Sequence, residues 1–304
     1  MKLTSLGPYL VLALTCHWLA VSGAAEPTTN AAPKSYLTRG LVRSIAPDLQ
    51  TALIRHEAIP DYMPAMTMEL NVRDTNELSD IAVGDTITFR LLVNDDTHWI
   101  DQLKKSAAIS TNAPPPLPTA QTDASADIEL KPGDLMPDAE LIDEHGRTIR
   151  ISQFRGQAVA FTFFFTRCPL PDYCPLMCKQ FAAARSQLLA ATNAPTNWML
   201  LAISFDSEFD KPAVLAGYAR SYRGDDANRW LFASASNATL KSIAPRIDLM
   251  IARDGPGFSH NLRTIVLDTR GRIHRQFDGN RWKDNELADA IREAAAVPPG
   301  SLVR

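Results

Sequence analysis

Three cysteines within residues 161–181 have the types and spacing most suited to chemistry. The sequence FTFFFTRCPLPDYCPLMCKQF places Cys168 and Cys174 after an apolar run, and Cys178 four residues further on. An apolar run without alternation predicts a strand buried on both faces, and the following helix is predicted to begin at or beside Cys174. The unpaired N–H groups and the dipole at a helix N-terminus favour a thiolate. This pattern suits copper binding or thiol redox chemistry.

A second set of metal-binding side chains lies in HEAIPDYMPAMTMEL, which begins at His56. Met66 and Met68 are two residues apart on a predicted strand, so their thioethers point to one side. His56 ends the preceding predicted strand. Two thioethers and an imidazole form a soft ligand set that suits Cu(I) or Ag(I) better than zinc or magnesium. The alternative interpretation is that the methionines only fill the core.

Length and composition limit the class of protein. The chain has 304 residues, which allows about two domains. A formal net charge of −3 and an ordinary apolar fraction argue against a disordered chain and against a nucleic-acid-binding protein. We therefore expect no nucleic acid partner.

Residues 1–25 follow the pattern of a signal peptide. Lys2 precedes an apolar segment at 10–21, and small residues occupy 22–25. We expect export to the periplasm and loss of Cys16 with the signal, with an uncleaved membrane anchor as the alternative. The mature chain then keeps three cysteines. An odd number favours a reactive or metal-binding cluster over a purely structural disulfide scheme.

Two different domains must position these side chains. Residues 36–105 contain short strand-like segments separated by turn signals, which predicts a small all-β, OB-like barrel. Residues 106–127 are rich in Pro, Ala and Thr and form the predicted linker. Residues 128–296 alternate strands with helices and end in a hairpin, which predicts an α/β thioredoxin-like domain. Residues 297–304 are the predicted tail.

Two residues of the second domain have open roles at this stage. Asp210 is expected to cap a helix that begins at Lys211. Cys178 shares a helical face with Cys174. It is predicted to be a small buried hydrophobe, and the alternatives are a resolving thiol or a substitute ligand.

The first domain combines a His with a later Met-x-Met on a small barrel, and its motif core is Pro64-Ala65-Met66-Thr67-Met68. Over residues 40–103 this pattern resembles the CusF-type periplasmic copper-binding domain. CusF has a Trp three residues before its first Met, whereas this chain has Met63 there. The resemblance implies a second copper site formed by His56, Met66 and Met68, with Met63 as a candidate third thioether or a lid.

The second domain contains three separated motifs in order, TRCPLPDYCP, ISFDSEFDKPAVLAGYA and FSHNLRTIVLDTRGRI. Over nearly all of residues 128–294 the chain resembles the Sco/SenC family of copper chaperones for respiratory oxidase assembly. The resemblance implies a thioredoxin-like fold that binds copper through Cys168, Cys174 and His260. Two thiolates and an imidazole suit Cu(I) and tolerate Cu(II), whereas zinc usually takes a fourth ligand.

The resemblance also bears on the surroundings of this site. His260 is expected in a glycine-containing loop, residues 255–259, that approaches the cysteine loop. The family most often separates its two cysteines by three residues, and here five residues separate them. Asp206 and Asp210 match acidic positions of the family motif.

Together these patterns predict a non-enzymatic periplasmic copper metallochaperone for assembly of a cytochrome c oxidase site of the Cu-A type. The expected partners are an oxidase subunit with a dinuclear copper site, other periplasmic copper carriers and thioredoxin-like reductants. One alternative is a thiol–disulfide oxidoreductase that uses Cys168 and Cys174 as a redox pair. Another is a protein that buffers copper or confers resistance to it.

Overall fold

The computed structural model describes residues 32–106, 129–254 and 257–299. The expected signal peptide, the expected linker after residue 106 and the expected tail after residue 299 lie outside the described residues, and the domain boundaries stay predictions. Residues 34–105 form the β region, and residues 129–299 form the α/β region. Both regions belong to one compact unit, Pro33–Arg304.

The β region is built from five strands: β1 (Lys34–Ile45), β2 (Thr51–His56), β3 (Met66–Asn71), β4 (Thr86–Val93) and β5 (His98–Lys105). They form one antiparallel sheet in the order β3-β2-β1-β4-β5. The sheet curls so that Val72, next to β3, meets Ile100 of β5 through one isolated bridge. The predicted small all-β domain is confirmed, but no continuous ladder closes it into a barrel.

The position of His56 depends on the close approach of β1 to β2. Gly40 lies opposite His56 in the strand register. A Cβ atom at Gly40 would lie 2.4 Å from Cγ2 of Ile54 and 2.9 Å from the Arg55 carbonyl oxygen. Because β2 alternates buried and half-buried residues, Ile54 and His56 face the interior. A side chain at position 40 would therefore displace the end of β2.

Within the described residues, the α/β region has nine strands and four α-helices. They are β6 (Glu140–Asp143), β7 (Thr148–Arg150), β8 (Ala158–Phe164), α1 (Cys174–Ala190), β9 (Trp198–Ser204), α2 (Pro212–Arg223), β10 (Trp230–Ala235), α3 (Asn237–Ile243), β11 (Ile251–Asp254), β12 (Gly257–His260), β13 (Arg263–Leu267), β14 (Ile273–Asp278) and α4 (Asp284–Ala296).

Seven of these strands form a mixed sheet in the order β14-β13-β8-β9-β10-β6-β7. Strands β8, β9 and β10 run parallel, and α1 and α2 connect them along the chain. The β13-β14 hairpin and α4 follow. Two successive βαβ units followed by a hairpin and a helix confirm the predicted thioredoxin-like α/β fold.

Strand β8 lies inside this sheet, and all its residues are buried. Strands β13 and β9 flank it, and α1 and α4 pack against it. This burial on both faces explains why the sequence of β8 shows no alternation. Among the described residues, no helix combines the length and apolar character needed to span a membrane.

A separate two-stranded sheet carries His260. Strands β11 and β12 pair antiparallel, and Ile251 lies opposite His260. The prediction of a loop at 255–259 is therefore wrong for residues 257–259, which belong to β12. Both strands are too short to show a reliable alternating pattern in the sequence. Strand β12 also packs against β3 of the β region.

Candidate metal centre

The structure brings the side chains of Cys168, Cys174 and His260 together. Their ligand atoms all lie within 4.8 Å of one another, and Sγ of Cys174 is 3.7 Å from Nε2 of His260. Metal–ligand bonds of about 2.0–2.3 Å place the donors of a trigonal site roughly 3.5–4 Å apart. The three side chains therefore need only a small contraction to hold one soft ion.

Each of these side chains lies at the end of a strand or helix or in the loop that follows one. Cys168 lies in the loop that follows β8, Cys174 is the first residue of α1, and His260 is the last residue of β12. The loop after β8 is held close to the strand, because the Cys168 N–H donates to the Phe165 carbonyl oxygen. Three elements of the fold thus converge on one point, and the N-terminal dipole of α1 favours negative charge there.

The imidazole of His260 is oriented by its own backbone and by aromatic rings. Its Nδ1 lies 2.9 Å from the carbonyl oxygen of Asn261. In the neutral ring, the form that binds a metal, that hydrogen bond keeps the proton on Nδ1 and leaves the lone pair on Nε2, the atom that lies 3.7 Å from Sγ of Cys174. The rings of Phe165, Tyr173 and Phe205 pack around the imidazole at centroid distances of 5.8, 6.0 and 4.9 Å. The ligand atom is thus held in one direction and shielded from water.

The two thiols have opposite pKa shifts. Burial opposes ionisation of Cys168, but hydrogen bonds from Cys174 and His260 outweigh it and hold the pKa of Cys168 well below its usual value. Burial raises the pKa of Cys174, and the hydrogen bond to Cys168 raises it further. Of the two thiols, Cys168 is therefore the one that ionises more readily. A thiolate is the form that binds metal or acts as a nucleophile.

Asp206 and Asp210 hold the residues that precede Cys168. The carboxylate of Asp210 accepts the backbone N–H of Thr166 at 3.0 Å, and Asp206 accepts from Nη2 of Arg167 at 2.6 Å. The prediction that Asp210 caps α2 is wrong, because the N-cap residue is Lys211 and it makes no side-chain cap bond. Asp210 is fully buried and anchors the cysteine loop instead.

Cys178 lies outside this group. It is fully buried in the α/β core, and burial raises the pKa of its thiol. Both features agree with the prediction that Cys178 is a small buried hydrophobe. Its thiol is absent from the described group of three clustered ligands.

The β region places His56, Met66 and Met68 at the end of neighbouring strands. His56 lies directly opposite Met66 in the β2–β3 register, and all three residues are buried. Nδ1 of His56 is 2.6 Å from the Glu57 carbonyl oxygen, which keeps the proton on Nδ1. The imidazole and the thioethers thus belong to one face of the sheet. Whether they bind copper together stays a prediction.

Met63 is also buried in the core of the β region. Its backbone forms an isolated bridge with Ile59. This tight turn connects β2 to β3 and keeps Met63 on the apolar side. Its role as a third thioether or a lid stays a prediction.

One cavity connects the two candidate sites. It has a volume of about 20 Å³, and Met66, Thr67 and Met68 line one side, with Cys168 and His260 on the other. Cys168 also packs against the apolar core of the β region. Volume of this size is enough for roughly one water-sized occupant. The sequence does not predict that the two ligand sets face each other.

The loop between Cys168 and Cys174 is the main contact between the regions. The carboxylate of Asp172 accepts hydrogen bonds from Asn71 at 3.1 Å and Thr97 at 3.0 Å, and it lies 2.6 Å from Nδ1 of His98. These partners are 101, 75 and 74 positions away. The sequence analysis missed these residues, because no local pattern connects such distant positions.

Two tyrosines add hydrogen bonds between the regions. The hydroxyl of Tyr62 donates to the Pro169 carbonyl oxygen, and the hydroxyl of Tyr173 donates to the Glu69 carbonyl oxygen, each at 3.0 Å. Leu170 of the same loop is buried in the core of the β region. The five residues between the cysteines thus form part of the surface on which the β region docks, together with β12.

Comparison with known families gives two matches. The model described as SCO1/SenC matches residues 129–296. The model described as copper binding periplasmic protein CusF matches residues 35–105. No curated protein matches the chain. The expected metal is copper. Copper agrees with the soft donors of Cys168, Cys174 and His260 and with the description of the CusF model.

Several solved structures are similar to the α/β region. Yeast Sco1 with copper bound is 19% identical, with a TM-score of 0.46, and the match covers 55% of this chain and 92% of that one. Arabidopsis thaliana ScoI with copper bound is 18% identical, with a TM-score of 0.46, over 53% of this chain and 98% of that one. BsSco, described as a member of the Sco family of cytochrome c oxidase assembly proteins, is 18% identical, with a TM-score of 0.47. That match covers 56% of this chain and 98% of BsSco.

Proposed function

The chain belongs to the SCO1/SenC family, and on this premise we propose that it is a periplasmic copper chaperone. It binds copper at Cys168, Cys174 and His260 and delivers the ion for cytochrome c oxidase assembly. The observation that carries the proposal is the convergence of these three ligand atoms within 4.8 Å of one another. Two sulfurs and one imidazole nitrogen form a soft set with the trigonal arrangement that suits Cu(I).

Delivery is supported by the position of the site at the surface between two regions. Cys168 and His260 are only half-buried, so a partner that displaces the β region gains access to copper. The proposed acceptor is an oxidase subunit with a dinuclear copper site, as the description of the similar protein BsSco suggests. The signal-peptide pattern of residues 1–25 supports export to the periplasm.

The β region has a separate task in this proposal. It captures Cu(I) on His56, Met66 and Met68 and passes it to the thiolates of the α/β region. The cavity shared by both ligand sets supports such a transfer, because the ion would not cross open solvent. Other periplasmic copper carriers are the proposed source of the ion.

An anaerobic Cu(I) titration tests the binding site. We expect the wild-type protein to retain one equivalent against a competing chelator and Cys168→Ala and Cys174→Ala to lose that retention. Cys178→Ala is the matched control, since its thiol lies in the same helix but outside the ligand group, and it should bind as the wild type does. Equal loss in all three variants would contradict the assignment.

A transfer assay separates delivery from storage. Copper-loaded protein is mixed with an apo oxidase fragment that contains the dinuclear site, and the absorption spectrum of that site is followed. If the absorption spectrum of the dinuclear copper site appears, the result supports delivery. Retention of copper by the loaded protein supports the alternative of a copper buffer or resistance protein.

The opposite pKa shifts of the two thiols favour a second function, reduction of a disulfide. The Cys168 thiolate would attack a partner disulfide, and Cys174 would then release the partner as a dithiol while a Cys168–Cys174 disulfide forms. Two electrons move to the partner, and thioredoxin-like reductants would restore the pair. Insulin reduction by the copper-free protein, measured above the background rate of the regenerating reductant alone, tests this function. Activity that is absent from Cys168→Ala and Cys174→Ala would support it.

A further inference from the structure

Strand β3 is the element of the β region that approaches the metal centre. It is an edge strand of its sheet, and only the single Val72–Ile100 bridge next to it links that edge to β5. Strand β12, which ends at His260, packs against it. Because side chains on both faces of an edge strand can reach around that edge, Met66, Thr67 and Met68 all line the cavity between β3 and His260.

The contacts of β3 fix this approach at two further points. The carbonyl oxygen of Glu69 accepts the hydroxyl of Tyr173, and the side chain of Asn71 donates to Asp172. Tyr173 and Asp172 immediately precede Cys174 in the chain. The segment that carries the thioethers is thus attached to the loop that carries the thiols.

The α/β region supplies three ligands, and soft ions of this type accept a further weak ligand. Copper sites built on a trigonal set of imidazole and thiolate donors commonly add a long bond to a methionine sulfur. A methionine side chain has three rotatable bonds and a polarizable sulfur, so it adapts to such a position without backbone movement. The methionines of β3 are the thioethers that border the cavity.

We propose that docking of the β region completes the copper site. Copper is bound by Cys168, Cys174 and His260 together with one thioether from the Met66–Met68 pair, so one ion bridges both regions. This inference rests on the proposed function. It differs from the relay of copper between two separate sites, because both ligand sets here hold the same ion at the same time.

The composite site has consequences for loading and release. A chain in the docked arrangement binds a single ion tightly, and the thioether covers the side of the ion that a partner must reach. Delivery therefore requires the β region to move off the site. Methionine in this position also stays a ligand at every pH, since a thioether carries no proton.

Selenium labelling distinguishes these arrangements. The full-length protein is produced with selenomethionine, loaded anaerobically with one equivalent of Cu(I), and measured by X-ray absorption at the copper edge. We expect copper–selenium scattering and copper–thiolate scattering from the same ion. We also expect the selenium signal to disappear in the double variant Met66→Leu/Met68→Leu, while thiolate scattering remains.

Met136→Leu is the matched control. Met136 is buried in the core of the α/β region and does not line the cavity. It should keep the copper–selenium signal. Leucine is close to methionine in volume, so all three substitutions preserve the fold, and circular dichroism checks this. Chelator competition should show at least about tenfold weaker Cu(I) retention in the double variant, the lower end of the range for a lost metal-site partner.

The outcomes separate this inference from the proposed function. Thiolate scattering without selenium scattering in the wild type overturns the composite site and leaves the proposed function intact. Selenium scattering that persists in the double variant also overturns it. Absence of thiolate scattering in the wild type contradicts the proposed function itself.

Discussion

The β region and the α/β region each end a strand with a histidine that is oriented in the same way. Nδ1 of His56 lies 2.6 Å from the carbonyl oxygen of Glu57, and Nδ1 of His260 lies 2.9 Å from that of Asn261. In both places the backbone of the next residue fixes the tautomer. The imidazole is therefore the part that the two candidate sites share.

The sulfurs make the difference between the two sites. Met66 and Met68 offer neutral thioethers on a buried strand, whereas Cys168 and Cys174 offer thiols whose pKa values are shifted in opposite directions. A charged sulfur binds a cation more strongly than a neutral one, but it must first lose its proton. The comparison teaches that the thiols of the α/β region add affinity and a dependence on pH that the thioethers of the β region lack.

The largest expected effect tests the two histidines against each other. His260→Ala should weaken binding of the first Cu(I) equivalent by at least about 100-fold, because losing a direct ligand should cost no less than the upper end of the range for a lost outer-shell partner. His56→Ala should leave it unchanged, because His56 does not border the shared cavity. Anaerobic chelator competition measures both variants, with thermal unfolding as the check on folding. Equal losses would mean that the two regions do not differ as proposed.

The next effect concerns the contact between the regions. Asp172→Ala removes the acceptor of hydrogen bonds from Asn71 and Thr97 and the partner of buried His98, so we expect the free energy of unfolding to fall by about 2–3 kcal/mol. Unfolding in denaturant measures this loss of free energy.

A matched control for that variant is Asp96→Ala. Asp96 also reaches the other region, where it pairs with Lys179 at 3.6 Å, but its side chain is 83% exposed. Exposed ion pairs contribute roughly 0–1 kcal/mol. A loss for Asp96→Ala as large as that for Asp172→Ala would show that burial does not decide the strength of docking.

The pH dependence of copper affinity should show one proton. The raised pKa of Cys174 favours its protonated thiol in the copper-free protein, whereas the lowered pKa of Cys168 favours its thiolate. Between these two pKa values binding releases about one proton, and affinity rises about tenfold, or 1.4 kcal/mol, per pH unit. Below the lowered pKa of Cys168 the slope should increase.

Calorimetry in buffers of different ionisation enthalpy measures this proton. The Met66→Leu/Met68→Leu variant should keep the slope, because thioethers do not titrate. Cys174→Ala should lose the part of the slope that comes from the proton of the Cys174 thiol. A slope that follows the methionines and not Cys174 would reverse the assignment of pH dependence to the α/β region.

The smallest effects concern the tyrosine hydroxyls. Tyr62→Phe and Tyr173→Phe each remove one hydrogen bond between the regions, which should lower the free energy of unfolding by about 1 kcal/mol. Tyr36, which stacks on Tyr62 at a centroid distance of 4.3 Å, provides the control variant Tyr36→Phe. If Tyr36→Phe costs as much, the loss does not arise from the contact between the regions.

Much of the fold could be predicted because its signals are local. The continuous apolar run of β8 predicted a strand buried on both faces, and alternating strands and helices predicted the thioredoxin-like sheet. The β11–β12 hairpin was not predictable in this way, since its strands are short and their pairing is set by neighbours. The role of Asp210 was predicted wrongly for a related reason. A helix cap is a local sequence pattern, whereas the hydrogen bond between Asp210 and Thr166 joins residues 44 positions apart.

The sequence by itself determined the kinds of ligand and most of the elements that carry them: soft sulfurs after β8 and on β3, and His56 at the end of β2. These features depend on residue types and spacings of a few positions. Only the tertiary structure decided which atoms meet, since Cys174 and His260 are 86 positions apart. The tertiary structure also placed β3 beside β12. That contact arises when the two regions pack around the loop between the cysteines. No sequence periodicity within either region predicts such a contact.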